Sequence, residues 1–248
     1  MSVTDANGKI VHYPENPDKF EFDREVAPLF PNMARRSIPN YEEFHFLHTN
    51  IVGHWFAENT PQFSMLDAGA SRGEFYRQFL GYIRDHRRSA HFMQLVAIDS
   101  SDAMCNYLRA EFPNVDVRCQ QLDGPAFLAS DEQFNVINAT YVLQFIRPER
   151  QLNVLRKLMS MVKPKGLLIL GQKDASPGAL GHMLHEEYVR WRMLNGYSRE
   201  EIAAKTKALQ NSMWPMPHET VIAELRANFT EVVETTRSMM FSTLIAMK

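Results

Sequence analysis

Four acidic or amide side chains fall where an apolar run gives way to a turn. They are Asp67 in "FSMLDAGASRGEF" (63–75), Asp99 in "MQLVAIDSS" (93–101), Asp123 in "LDG" (122–124) and Asn138 in "FNVINATYV" (134–142). In the first of these, Gly69 and Gly73 bracket Ala70 and Ser71. Two residues without side chains let the backbone turn sharply and approach a ligand closely. A helix starting near Gly73 offers its free N–H groups to the same place. The dinucleotide fingerprint G-x-G-x-x-G needs a third glycine, and Asp67 enters the same turn. A carboxylate repels a pyrophosphate but suits a cationic ligand or an amino group.

The later positions extend that ligand. Asp99, followed by Ser100, can accept from both hydroxyls of a ribose. Asp123, in the turn Leu122–Gly124 after the third strand, can accept from the amino group of an adenine. Asn138 falls near the place where a transferred group would sit. Taken singly, each has a structural reading: a tight strand–helix turn, or a neighbour of a helix N-cap. Taken in order, at the ends of four successive strands, they select S-adenosyl-L-methionine (SAM), which carries a sulfonium, an α-ammonium, a ribose and an adenine. They select it over a nicotinamide dinucleotide or a pure binding module.

The elements that must position these residues alternate between two periodicities. Strand-like runs at 63–69, 93–99, 115–121, 134–142 and 167–173 alternate with helical stretches at 73–86, 101–112 (capped by Ser101) and 149–162 (stopped by "KPKG"). Such alternation predicts parallel strands joined by right-handed crossovers. A helix at 41–58 precedes them. Residues 178–212 interrupt the alternation as a cap of two helices meeting at "NGYS". A helix at 217–227 and two closing strands predict an antiparallel hairpin at the sheet edge. The expected fold is α/β: a Rossmann-like, mostly parallel seven-stranded sheet with a C-terminal antiparallel hairpin and a helical cap. Residues 1–19 read as a flexible tail and 20–248 as one SAM-binding domain, with 20–60 as a helical lid.

Composition narrows the class. The 248 residues carry a net charge of −2, so no general nucleic-acid surface is expected. No apolar run is long enough for a membrane span, and no signal-peptide core opens the chain. Two cysteines, Cys105 and Cys119, make neither a disulfide framework nor a metal cluster. A soluble, reduced, cytoplasmic protein is expected, with both thiols buried and no metal site. His182 and His185 lie three apart on a helix without a third ligand.

"LDAGASRG", "AIDSS", "QLDG" and "INATYVLQFI" resemble class I SAM-dependent methyltransferases in order and spacing. More narrowly, "FEFDREVAPLFPNMARRSIPNY", "LQFIRPER", "MVKPKG", "NGYSREEI" and "FSTLIAMK" are similar to the carboxy-SAM synthase family, which makes a carboxylated SAM for wobble-uridine modification in tRNA. The likeness covers nearly everything after residue 20. It implies that Tyr41 closes over the cofactor, that Gly69, Ala70 and Ser71 line the methionine part, and that Asp99 and Ser100 bind the ribose. It also places Leu122 and Asp123 at the adenine and Asn138 near the sulfonium. The chain departs from the family pattern at two places. Asn40 stands where the family has a glycine, and Thr206 stands where a family arginine grips the extra carboxylate, leaving Lys205 or Lys207 as substitutes of less defined geometry.

Three reactions follow. Methyl transfer to a small-molecule acceptor is the commonest use of the fold. Intramolecular cyclisation would convert SAM to azetidine-2-carboxylate and methylthioadenosine with no acceptor. Carboxy-SAM synthesis is disfavoured by Thr206. A non-catalytic SAM-binding protein is the fourth reading, and intact Gly69 and Asp99 argue against it. Tyr41, Asn138 and Tyr188 are the candidate catalytic groups. Arg36, as a ligand for an anionic part, joins Asp67 and Gly73 in the cofactor-binding set, although an Arg35–Arg36 pair is more often a salt-bridged turn. Tyr188, Trp191 and Tyr197 have the spacing of core or interface residues, or of a cation–π wall facing the sulfonium. "MWPMP" (213–217) is a rigid connection that could border the site. The apolar cap resembles the surface through which the family forms homo-oligomers, so a homodimer is expected there.

Overall fold

The computed structural model describes residues 2–4, 10–12, 21–57, 60–86 and 93–248. Two short strands, β1 (Ser2–Thr4) and β2 (Ile10–His12), pair antiparallel within the span read as a tail; the rest of 1–19 lies outside the described residues. Helices α1 (Phe30–Ser37) and α2 (Tyr41–Ile51) follow, and α2 runs into a π-helical turn at Val52–Ala57, where the sequence predicts one continuous helix. Asn40, between them, sits in the left-handed region at φ 57°, a conformation asparagine tolerates better than most residues. Asparagine at this position is therefore compatible with the turn.

The α/β body is β3 (Ser64–Ala68), α3 (Glu74–Asp85), β4 (Gln94–Asp99), α4 (Asp102–Glu111), β5 (Asp116–Cys119), α5 (Pro125–Leu128), β6 (Phe134–Thr140), α6 (Pro148–Ser160) and β7 (Val162–Lys173). The cap is α7 (Gly178–Leu194) and α8 (Arg199–Leu209), and the chain closes with α9 (His218–Asn228), β8 (Glu231–Ser238) and β9 (Phe241–Met247). At "NGYS" the Ser198 side chain accepts from Glu201 N while Glu201 accepts from Ser198 N, a reciprocal cap that starts α8. "KPKG" does not end β7's pairing segment: α6 stops before it, and the strand runs through it.

The sheet order is β5-β4-β3-β6-β7-β9-β8, and β9 alone runs against the others. Alternate residues of each central strand enter opposite cores. Met65, Ala97, Val136 and Ile169 face one cluster with Phe75, Phe79 and Leu108. Leu66, Val96, Ile137 and Leu168 face the other with Leu155, Leu158 and Leu225. Burial on both faces is why these strands read as continuous apolar runs rather than as alternating ones.

Candidate active site

From β3 the chain moves through β4 to β5 on one side, then returns to place β6 on the other side of β3. That reversal is the switch point at which open α/β sheets bind ligands, outside the carboxyl ends of the strands. Asp67 and Asn138 are register partners there. Asn138 Nδ2 donates to Asp67 Oδ1 at 2.7 Å and to Thr140 Oγ1 at 3.2 Å. With its amide nitrogen so engaged, Asn138 presents a buried Oδ1 that has no hydrogen-bond partner among the described residues. Burial, followed by the nearby charge of Asp99, pushes the Asp67 carboxyl up to about 7.

A cavity of about 780 Å³ opens at this point, within the ~300–1,000 Å³ usual for small-molecule sites. Asp67, Gly69, Ala70, Ser71, Asp99, Ser100, Leu122, Asp123, Asn138 and Tyr41 all line it. The β3–α3 turn places Gly69 at φ 76° and donates both Gly69 N and Ala70 N to Ile98 O, locking the loop against the end of β4. Asp99 accepts from Ser71 N at 2.8 Å and from Ser101 N at 2.9 Å, one bond to each carboxylate oxygen, so each keeps a further lone pair. Asp123 accepts from Arg150 at 3.0 Å.

Three predicted residues lie elsewhere. Gly73 caps α3 at φ 72°, and a Cβ there would stand 2.4 Å from the Phe112 ring, so its glycine is required by helix packing rather than by the cavity. Arg36 donates to Asn195 O at 2.6 Å and lies over the Tyr197 ring. Tyr188 is buried behind the cavity wall, donates to Ser37 O and packs on Trp191 and Phe241. Cys119 is exposed, contrary to expectation, and Cys105 is buried. Among the described residues no cluster of His, Cys, Asp and Glu could hold a metal ion, and no helix is long and apolar enough to cross a membrane.

The sequence reading missed part of the lining. His45, Phe75, Thr140, Tyr141 and Val142 face the same cavity, as does Trp214 of the "MWPMP" segment expected to border the site. Tyr141 sits at φ 57°, just past the end of β6, with its ring against Phe44 and Phe241. Tyr41 meets the His45 ring edge-on at 4.7 Å. Burial raises the phenols of Tyr41 and Tyr141 and drives His45 down to about 3, so all three are neutral near pH 7. Trp214 is held by Gln144 and Gln151 through its backbone, which brings "MWPMP" to the cavity rim.

Residues 65–166, the span that contains this turn and the first four sheet-end positions, match the methyltransferase-domain family. The carboxy-SAM synthase of Wolinella succinogenes is 32% identical over 234 residues, which is 93% of this chain and 94% of that protein; that of Helicobacter hepaticus is 32% identical over 237 residues. The chain belongs to the carboxy-SAM synthase family. Among solved structures, the plantazolicin methyltransferase BpumL in complex with S-adenosylhomocysteine superposes with a TM-score of 0.61 over 90% of each chain at 10% identity. The N-methyltransferase NodS from Bradyrhizobium japonicum gives 0.52 over 89% of this chain and 95% of its own, at 15% identity. These neighbours establish the class I methyltransferase fold. Family membership makes the chain a SAM-dependent transferase and SAM its cofactor. Position 206, where the resemblance implies an arginine, is Thr206, which is exposed on α8 and donates its hydroxyl to Ile202 O.

Proposed function

We propose that the protein transfers the methyl group of SAM to a small-molecule acceptor held in the switch-point cavity. The observation that carries this is the character of the wall around Asp67 and Asn138. Tyr41, His45 and Tyr141 are packed against one another or their neighbours and neutral, and Asn138 is fixed by a bond to Asp67. Displacement at a sulfonium methyl needs in-line positioning and exclusion of water more than it needs proton transfer, and rigid neutral walls supply both. Asp67 suits the ammonium of SAM, Asp99 its ribose and Asp123 its adenine.

Carboxy-SAM formation is the second reading, favoured by identity to relatives of that name across nearly the whole chain. Against it stands Thr206. One experiment separates the reactions: mass spectrometry of products after incubation with SAM alone, with a panel of acceptors, and with prephenate. S-adenosylhomocysteine that appears only with an acceptor is the expected result. Methylthioadenosine from SAM alone would overturn the proposal in favour of cyclisation, and carboxy-SAM formed with prephenate would overturn it in favour of the second reading.

A further inference from the structure

Helix α2 buries two histidines, and packing accounts for only one of them. His48 bonds through Nε2 to Thr235 Oγ1 at 2.9 Å, the satisfied state expected of a core histidine. His45 is 3% exposed and lines the cavity, yet no hydrogen bond joins either of its ring nitrogens to a described residue. Nδ1 is sealed and unpartnered in both rings, so Nε2 is the atom that separates them.

The surroundings of His45 are rings. Its centre lies 4.7 Å from Tyr41, 4.4 Å from Phe44 and 6.1 Å from Phe75, and Tyr141 joins the group through Phe44 at 5.4 Å. Tyr41, Phe75 and Tyr141 line the cavity themselves, as do Asp67 and Glu74. Both carboxylates reach this end: after burial, the charges of Glu74 and Asp67 are what raise the Tyr41 phenol. The groups matched to SAM are Asp67, Asp99 and Asp123, and none of the three bonds to His45. An uncommitted imidazole in an aromatic pocket is left over.

Its chemistry narrows what it can meet. Burial, then the neighbouring His48, drives His45 down to about 3, so the ring is neutral near pH 7. A neutral imidazole has one N–H and one bare nitrogen, and a hydroxyl, which both donates and accepts, fits either. Glu74 and Asp67 disfavour an anionic group. They would also hold an aliphatic amine protonated, without the lone pair that attacks a methyl carbon. Flat rings around the site favour an aromatic body.

We propose that His45 orients the acceptor through a hydrogen bond to its hydroxyl, and that the acceptor is a neutral phenol packed among Tyr41, Phe75 and Tyr141. The inference rests on the methyl-transfer reading above. In that step the hydroxyl oxygen bonds to the methyl carbon as the carbon–sulfur bond breaks. The electron pair of that bond stays on sulfur, giving S-adenosylhomocysteine, and the hydroxyl proton goes to water.

Equilibrium dialysis of the protein loaded with S-adenosylhomocysteine tests the role of His45. The probes are p-cresol, p-xylene, in which a methyl group replaces the hydroxyl, and p-toluidine, in which an amine does. p-Cresol is expected to bind one per chain, about tenfold or more tighter than p-xylene, and tighter than p-toluidine. His45→Phe keeps a ring and removes both nitrogens. It should lower p-cresol to the affinity of p-xylene while leaving SAM affinity, measured by calorimetry, unchanged, and His45→Gln should recover part of the loss. Equal binding of p-cresol and p-xylene by the wild-type protein, a comparison that needs no variant, would overturn the proposal. Tighter binding of p-toluidine would overturn the hydroxyl assignment. Loss of SAM and p-cresol together in His45→Phe would move His45 to the cofactor and sink its acceptor role. Failure of SAM to bind the wild-type protein would refute the SAM reading and this inference with it. S-adenosylhomocysteine formed with another acceptor, without preference for p-cresol over p-xylene, would refute this inference alone.

Discussion

At the scale of single residues, the Asp67–Asn138 pair decides how the cavity meets a cation. A carboxyl raised to about 7 by burial is partly protonated at neutral pH. In the folded protein it holds its proton up to a higher pH than in the unfolded chain, where it titrates near 4. The folded state therefore binds more protons between about 4 and 7, and Asp67 costs stability progressively as pH rises through that window. A cationic ligand reverses the balance, because it favours the ionised form. SAM affinity is thus expected to weaken as pH falls below about 7, by up to about tenfold per unit. Asp67→Asn should flatten that profile and weaken binding about tenfold or more at pH 8. Calorimetry from pH 5.5 to 8 checks both, and a wild-type affinity independent of pH would refute this role for Asp67.

At the scale of elements, the β3–α3 turn tests whether glycine is needed for shape or for space. Gly69 needs both: its φ is 76°, and an added Cβ would stand 2.5 Å from Val142 Cγ2. Gly69→Ala is expected to cost about 1–3 kcal/mol and to weaken SAM binding. Val142→Ala in the same chain should restore part of that loss, since it removes the nearest atom but leaves Cβ in place. Denaturant unfolding of the two single variants and the double variant gives the coupling, and strict additivity would show that backbone strain alone is responsible. Helix α2 carries a second testable property. His45 and His48 are buried on it and held neutral, down to about 3 and about 4, chiefly by burial. Because their folded values lie below the ordinary 6.5, their contribution is complete above that pH and is lost as pH falls toward 4. Each removes up to about 1.4 kcal/mol per pH unit in that window. Hydrogen exchange at pH 5 should therefore show α2 opening more readily than at pH 7, and unchanged protection would contradict this. The turn was legible in the sequence because a strand end, two glycines and a carboxylate are contiguous. Tyr141 was not, because "NATYV" continues an apolar strand pattern and its left-handed backbone leaves no compositional mark. The π-helical turn after α2 was hidden for a similar reason: a helical period of apolar residues runs on without a breaker.

At the scale of the whole molecule, what could not be read was the meeting of distant segments. Positions 45, 75 and 141 carry no shared motif; only the docking of α2 against α3 and the end of β6 brings them together. The remaining feature at this scale is the outer face of α7. Leu180, Met183, Leu184 and Leu194 fall within one stripe of about 100° on a 3.6-residue helix, interrupted by Glu187. Leu180 and Leu194 are 76% and 88% exposed. The inner face of the same helix is already engaged through Tyr188 and Arg192, so the stripe has no further element of this chain to cover it among the described residues. A row of large apolar side chains along a whole helix is more than the scattered exposure normal on a monomer. We propose that a second copy of the chain covers it. A two-fold contact would place stripe against stripe, with the interrupting Glu187 already paired to Arg190 at 2.8 Å on its own helix. Sedimentation velocity of the wild-type protein should report a dimer, and Leu184→Glu with Leu194→Glu should shift it to monomer with unchanged circular dichroism, because both side chains lie outside the cores. A wild-type protein that sediments as a monomer at all concentrations would rule this contact out.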